Sequence, residues 1–185
     1  MAKTTKQTIF NSFVDLLAEM PFDKITIRHI VEKSNVNRNT FYYYYSDIYE
    51  LLEEVFKNSY MELVASHSNN FRWFVGIEKL LKTAYANPKI IKNICASRSY
   101  DYLETYMYKS CREILTEVIK EQAVGRKITE DRMEFITSFY EYAIIGTLSE
   151  WFRSGMRETP EEILKYFSIV MSGVSAALDC AEKAK

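Results

Sequence analysis

The sequence predicts an all-α protein, with a small three-helix unit at the N-terminus and a larger helical body behind it. Three observations carry this. Only five glycines and three prolines are spread over 185 residues, so few points break a helix. No segment sustains the apolar–polar alternation of a half-buried strand. Apolar residues instead recur three and four positions apart, the spacing of one helix face.

The elements follow in order. Ile9, Phe13, Leu16, Leu17 and Met20 form one apolar face, and Pro21 stops that first helix. Thr26 precedes Ile27, Ile30 and Val31, as an N-cap precedes a short second helix. "SNVN" at 34–37 is a tight turn, and Asn37 is suited to cap a third helix. Asp47 is suited to cap a fourth, which carries Leu51, Leu52, Val55 and Phe56 towards Val64. A polar joint, "SHSNN" at 66–70, leads to longer helical patterns at 71–86, 88–95, 99–123, 130–154 and 160–182. The natural division is therefore 1–47 and 48–185.

Composition narrows the chemistry. Hydrophobic residues make up 48% of the chain, enough for a sizeable core. The net charge is -1, so the chain is not a polycation. Lys3, Lys6, Lys24, Arg28, Lys33 and Arg38 nevertheless exceed the acids of residues 1–46 by two, and the remainder carries -3. That sign suits an N-terminal unit facing an anionic partner. Cys95, Cys111 and Cys180 are widely spaced, which fits reduced thiols in a cytoplasm. No signal peptide is read, and no stretch is expected to span a bilayer. There is no H-E-x-x-H, Gly-rich phosphate loop, G-x-S-x-G or cysteine–histidine metal spacing. Glu53–Glu54 and Glu161–Glu162 are adjacent on helices and diverge. The expectation is neither enzyme nor cofactor nor metal site.

One stretch needs a special explanation. "RNTFYYYYSDIYELL", Arg38 to Leu52, holds four consecutive tyrosines. A helix turns about 100° per residue, so four neighbours point four ways. Phe41 and Tyr45 share a face and are assigned to the core, which directs Tyr43 and Asn39 outward and leaves Tyr42 and Tyr44 at the flanks. Outward tyrosines suit a DNA-facing helix, where the ring packs on sugars and thymine methyls and the hydroxyl reaches phosphate. Two short helices joined by about four residues are also the layout of a helix-turn-helix.

From Ile25 to Leu52, "ITIRHIVEKSNVNRNTFYYYYSDIYELL" resembles the tetracycline-repressor (TetR) family of bacterial regulators. Thr26, Ile27, Arg28, Ile30, Val36, Thr40, Phe41, Tyr42, Tyr44 and Leu51 fit the family pattern directly. The resemblance implies that Thr26, Thr40, Tyr42 and Tyr44 touch the DNA backbone and that Arg28 reaches a base edge or phosphate. Arg38, Asn39 and Tyr43 then occupy the variable positions that give sequence choice, Arg38 suiting guanine. His29 replaces the family's acidic residue, and the expectation is that the reciprocal capping box is lost. Asn35 replaces a turn glycine and tolerates a left-handed conformation. Ile48 replaces a phosphate-binding lysine, and the N-terminal amides of the fourth helix are expected to remain for a phosphate.

The pattern at 130–154 is apolar nearly all round, as in a helix buried on several sides. By resemblance, the last two long helices form a homodimer. Trp73, Phe74, Tyr102, Tyr106 and Phe139 are candidates to wall a small-molecule effector pocket. The resulting reading is a dimeric, effector-responsive regulator of a double-stranded DNA operator, a repressor by expectation. The alternative is a helical adaptor or co-regulator that binds a protein partner and has weak or no DNA binding.

Overall fold

The computed structural model describes residues 4–64, 69–98 and 100–184, with side chains described outside 59–64 and 69–73. The described residues form ten α-helices, one short 3-10 turn and no strand. The all-α expectation holds.

The N-terminal unit begins with α1 (Thr5–Glu19), capped by the Thr4 side chain, which accepts from the Gln7 amide. Its Ile9, Phe13, Leu16 and Leu17 are buried. Extended Met20 and Pro21 end it, and a 3-10 turn (Phe22–Lys24) redirects the chain. Helix α2 (Ile27–Ser34) ends at Asn35, whose φ of 52° and ψ of 44° are left-handed. This is the conformation expected where the family places glycine. Helix α3 (Arg38–Tyr44) follows, with the Asn37 side chain accepting from the Thr40 amide at 2.8 Å.

The body starts with α4 (Ile48–Val64) and α5 (Asn69–Ala86), which pack on each other. The joint expected at 66–70 falls mostly outside the described residues. Helix α6 (Pro88–Cys95) lies against α1. Helices α7 (Tyr100–Gln122) and α8 (Glu130–Arg153) form the most extensive pairing. Arg112 of α7 ties them together, bonding Glu134, Ser138 at 3.0 Å and the buried Glu141 at 2.7 Å.

The final pattern, read as one helix over 160–182, is two. Helix α9 (Pro160–Met171) and α10 (Val174–Lys183) meet at Ser172 and Gly173. Tyr140 comes close there: a β-carbon at Gly173 would lie 3.4 Å from the Tyr140 hydroxyl and 3.2 Å from the Val170 carbonyl. Ile163, Phe167, Met171, Val174 and Leu178 keep one stripe buried across the break. Pro160–Lys183 is, by length and composition alone, long and apolar enough to cross a membrane, with mean hydropathy 1.4. Its buried stripe faces the core, while Tyr166, Ile169 and Val170 are exposed.

The N-terminal unit is fastened to the body by side chains of α1, α4 and α6 and of two turns. The Asn93 amide donates to the Leu17 carbonyl at 2.8 Å. Asp23 accepts from the Ser97 hydroxyl and the Arg98 amide. Lys6 pairs with Glu54 at 2.8 Å.

Candidate nucleic-acid interface

The interface is built by the way α2 and α3 are capped and buried. Thr26 caps α2, and its hydroxyl accepts from the His29 amide at 3.3 Å. His29 returns the bond: its Nδ1 accepts from the Thr26 amide, also at 3.3 Å. The capping box is therefore present, against expectation. A neutral imidazole has one acceptor nitrogen and does the work of a carboxylate oxygen here. It does so without placing an anion where phosphates would approach.

Helix α3 divides its aromatic residues as the 100° turn requires. Phe41 and Tyr45 are buried, with 0% and 2% exposure, and their rings lie 5.8 Å apart. Burial, with Glu54 nearby, raises the Tyr45 hydroxyl and keeps it protonated. Tyr43 is 81% exposed and Tyr42 is half-exposed. Tyr44 is partly buried, its ring 4.9 Å from that of Tyr43 in an edge-on contact.

Of the other predicted contact residues, Thr26, Arg28, Arg38 and Asn39 are exposed, and Thr40 is partly buried. The Thr40 hydroxyl donates to the Asn37 side chain at 3.0 Å. Arg28 bonds Glu32 one turn along α2 at 2.7 Å, which raises its pKa through that bond and charge. The guanidinium is thereby laid along the surface of α2.

Ile48 is partly buried against the core, so packing accounts for it where the family has lysine. The expected phosphate site at the start of α4 is corrected. Asp47 Oδ1 already accepts from the Tyr49 amide at 2.8 Å and the Glu50 amide at 2.9 Å. A phosphate there would meet a carboxylate holding its donors.

The predicted effector residues do not form one wall. Phe139 is 59% exposed on the outer side of α8. The side chain of Trp73 lies outside the described residues. Phe74 packs at the core edge. Tyr102 lines only an outer recess, its hydroxyl donating to Glu53 at 2.7 Å. Tyr106 does line an inner chamber, with Phe56, Ile77, Met107, Cys111 and Ile145. That chamber is about 70 Å³ and mainly aliphatic rather than aromatic. Aliphatic residues of α8 were read only as core because periodicity does not separate a solid core from a lined space.

Comparison with known proteins decides the family. Residues 9–55 match the family described as bacterial regulatory proteins, tetR family. Residues 72–173, more than half of the chain, match the transcriptional regulator C-terminal region of TetR type. The chain belongs to the tetR family. TetR-type regulators are DNA-binding transcriptional regulators, not enzymes, and this chain is one of them.

Among curated relatives, the HTH-type dhaKLM operon transcriptional activator DhaS of Lactococcus lactis is 30% identical over 69 residues, covering 37% of each chain. The uncharacterized HTH-type transcriptional regulator YxbF of Bacillus subtilis is 37% identical over 73 residues, covering 36% of this chain and 19% of its own length. The matches thus span well under half of both relatives. A solved structure of the dihydroxyacetone kinase operon activator DhaS superposes over 97% of this chain and 98% of its own, with TM-score 0.69 and 22% identity. A TetR transcriptional regulator from Streptococcus agalactiae covers 90% of this chain and 92% of its own, with TM-score 0.59 and 26% identity. These likenesses extend the TetR fold over both parts of the chain.

Proposed function

We propose that this TetR regulator reads a double-stranded DNA operator as a homodimer and that a small-molecule effector controls its affinity. Residues 1–47 are the DNA-binding part and 48–185 the effector and dimer part. One observation carries the reading: α3 buries Phe41 and Tyr45 while leaving Arg38, Asn39, Tyr42 and Tyr43 exposed together. Arg38, Asn39 and Tyr43 read bases, while Thr26, Thr40, Tyr42 and Tyr44 hold the backbone. Arg28, released from Glu32, supplies a further cation. The site of action is the DNA of the cytoplasm.

The dimer is formed by α8 with α9 and α10. Phe135, Phe139 and Tyr142 are exposed along one face of α8, and Tyr166, Ile169 and Val170 along one face of α9. Exposed apolar side chains in such a patch mark an association surface. A second copy covers both faces at once, as the four-helix arrangement of the family implies. The adaptor reading is less favoured, because Arg38, Asn39, Tyr42 and Tyr43 are exposed together and Ile48 packs against the core.

The sign of regulation has two readings. Repression follows from occupying an operator. Activation is favoured by the likeness to the dhaKLM operon activator. Mapping genomic sites by footprinting, with transcription of the neighbouring genes measured in a deletion strain, decides both operator and sign. A protein that protects no genomic site, and shows no salt-dependent shift of duplex DNA, would end the reading.

A further inference from the structure

Two capping boxes stand among the described residues, and both start from a threonine. In α9 the partner is a carboxylate: Glu162 accepts from the Thr159 amide at 2.8 Å. In α2 the same place is taken by His29, whose Nδ1 accepts from the Thr26 amide. Either acceptor completes the box, and a carboxylate also suits the positive end of a helix. Capping alone thus gives no preference for His29.

The ring has a second nitrogen. Nδ1 accepts only while it carries no hydrogen, so the neutral ring holds its hydrogen on Nε2. No described residue accepts from that Nε2–H, and His29 is only partly buried. Helical side chains lean towards the N-terminus, so the ring folds back beside Thr26, which is exposed and assigned to the DNA backbone. The first turns of α2 and α3 hold no acid. Glu32, the nearest acid along α2, is bonded by Arg28.

We propose that His29 is a further DNA-backbone residue, donating from Nε2–H to the phosphate that Thr26 meets while Nδ1 keeps the cap. The proposal rests on the operator reading above and adds a residue to it. A phosphate oxygen is an ionised acceptor, so the bond is charge-assisted. Glutamate in the same place would cap α2 equally well and repel that phosphate. The contact carries no base information, so it strengthens specific and nonspecific binding together.

His29→Glu separates the two roles, because it keeps the capping acceptor and removes the donor. Its urea midpoint should equal or exceed that of the wild type. At about pH 8, where an ordinary imidazole is neutral, it should bind operator and random duplex at least about tenfold more weakly, as loss of a charge-assisted bond implies. Methylphosphonates placed one at a time along the operator locate the contact. At one position in each half-site they should cost the wild type more than the His29→Glu protein. Equal costs at every position, or wild-type affinity in His29→Glu, overturn the proposal.

Imidazole nitrogen NMR on the wild type covers the case in which glutamate loosens α2. The chain has two histidines, His29 and His67, so His29→Gln assigns the signals and His67 serves as the internal comparison. The free protein should show His29 with its hydrogen on Nε2. Duplex DNA should move that Nε2–H signal downfield and slow its exchange with water. DNA binding that leaves the His29 signal unmoved overturns the proposal and leaves the operator reading standing. A protein that binds no duplex DNA ends both.

Discussion

Asp23 Oδ1 accepts the Ser97 hydroxyl at 2.6 Å, and the same carboxylate accepts the Arg98 amide at 2.7 Å through Oδ2. One side chain on the 3-10 turn after α1 thus closes the turn between α6 and α7. Ser97 is buried, so this clamp is shielded from water on the body side. With Asn93 holding the Leu17 carbonyl, it makes the end of α1 follow the α6–α7 turn.

Asp23→Ala should therefore destabilise the protein by about 1–3 kcal/mol, chiefly the cost of orphaning the buried Ser97 hydroxyl. Urea unfolding reads the loss. Ser97→Ala should cost less in the Asp23→Ala background than in wild type, with a coupling of about 0.5–3 kcal/mol. Strict additivity of the two substitutions would show that the clamp is a surface contact.

The tyrosine run separates packing from contact. Phe41→Ala should cost about 3–5 kcal/mol, because Phe41 is fully buried. Tyr43→Ala should change stability by less than about 0.5 kcal/mol, given its exposure. It should instead weaken operator binding by about 1–3 kcal/mol. Tyr42→Phe should weaken specific and nonspecific DNA alike, as loss of a phosphate contact does. Thermal unfolding and DNA titration on the same variants check this. A Tyr43→Ala protein that melts early and binds normally would return the run to the core.

Much of this was legible in the sequence. The alternation of Phe41 and Tyr45 against Tyr43 is a direct consequence of helix geometry, and Asn37 and Asp47 cap because their side chains are short acceptors. His29 is not legible as a cap partner because the capping-box pattern names Glu or Gln, although the requirement is only an acceptor within reach. The break at Ser172 and Gly173 is not legible because no proline marks it and the apolar stripe runs on across it. That the aromatic residues expected to wall a pocket do not share one space is illegible for a similar reason. Aromatic residues draw the eye, yet Phe139 faces outward and the chamber is bounded by Ile144, Ile145 and Leu148. Which apolar residues enclose a space is decided by how α4, α5, α7 and α8 meet.

Glu50 gives a pH prediction. It accepts from the Ser46 amide at 2.7 Å and hydroxyl at 2.8 Å, and these bonds lower its pKa from the ordinary 4.5. A folded value below the unfolded one adds stability at neutral pH, which is lost as pH falls through the folded value. Glu50→Gln should lower stability at pH 7, and the two proteins should converge in acid below the ordinary glutamate range. The side chain is exposed, so the gap should be small. Unfolding midpoints across the acid range test it. A gap that widens as pH falls would reverse the assignment.

The outward face of α8 and α9 yields the last prediction. Phe139 and Ile169 are 59% and 61% exposed in the single chain, although both are large and apolar. If a second copy covers them, a charge at either position must be buried unpaired on association, which costs several kcal/mol and has no compensation inside one subunit. Phe139→Glu and Ile169→Glu should therefore sediment near the 21.8 kDa chain mass at micromolar concentration, while the wild type sediments near twice that. Each monomer should keep its helical signal, because neither residue belongs to the buried core. Operator affinity should fall steeply in both, because one recognition helix no longer brings its twin to a half-site about one helical turn away. Retention of the wild-type sedimentation in the double variant would place the dimer contact elsewhere.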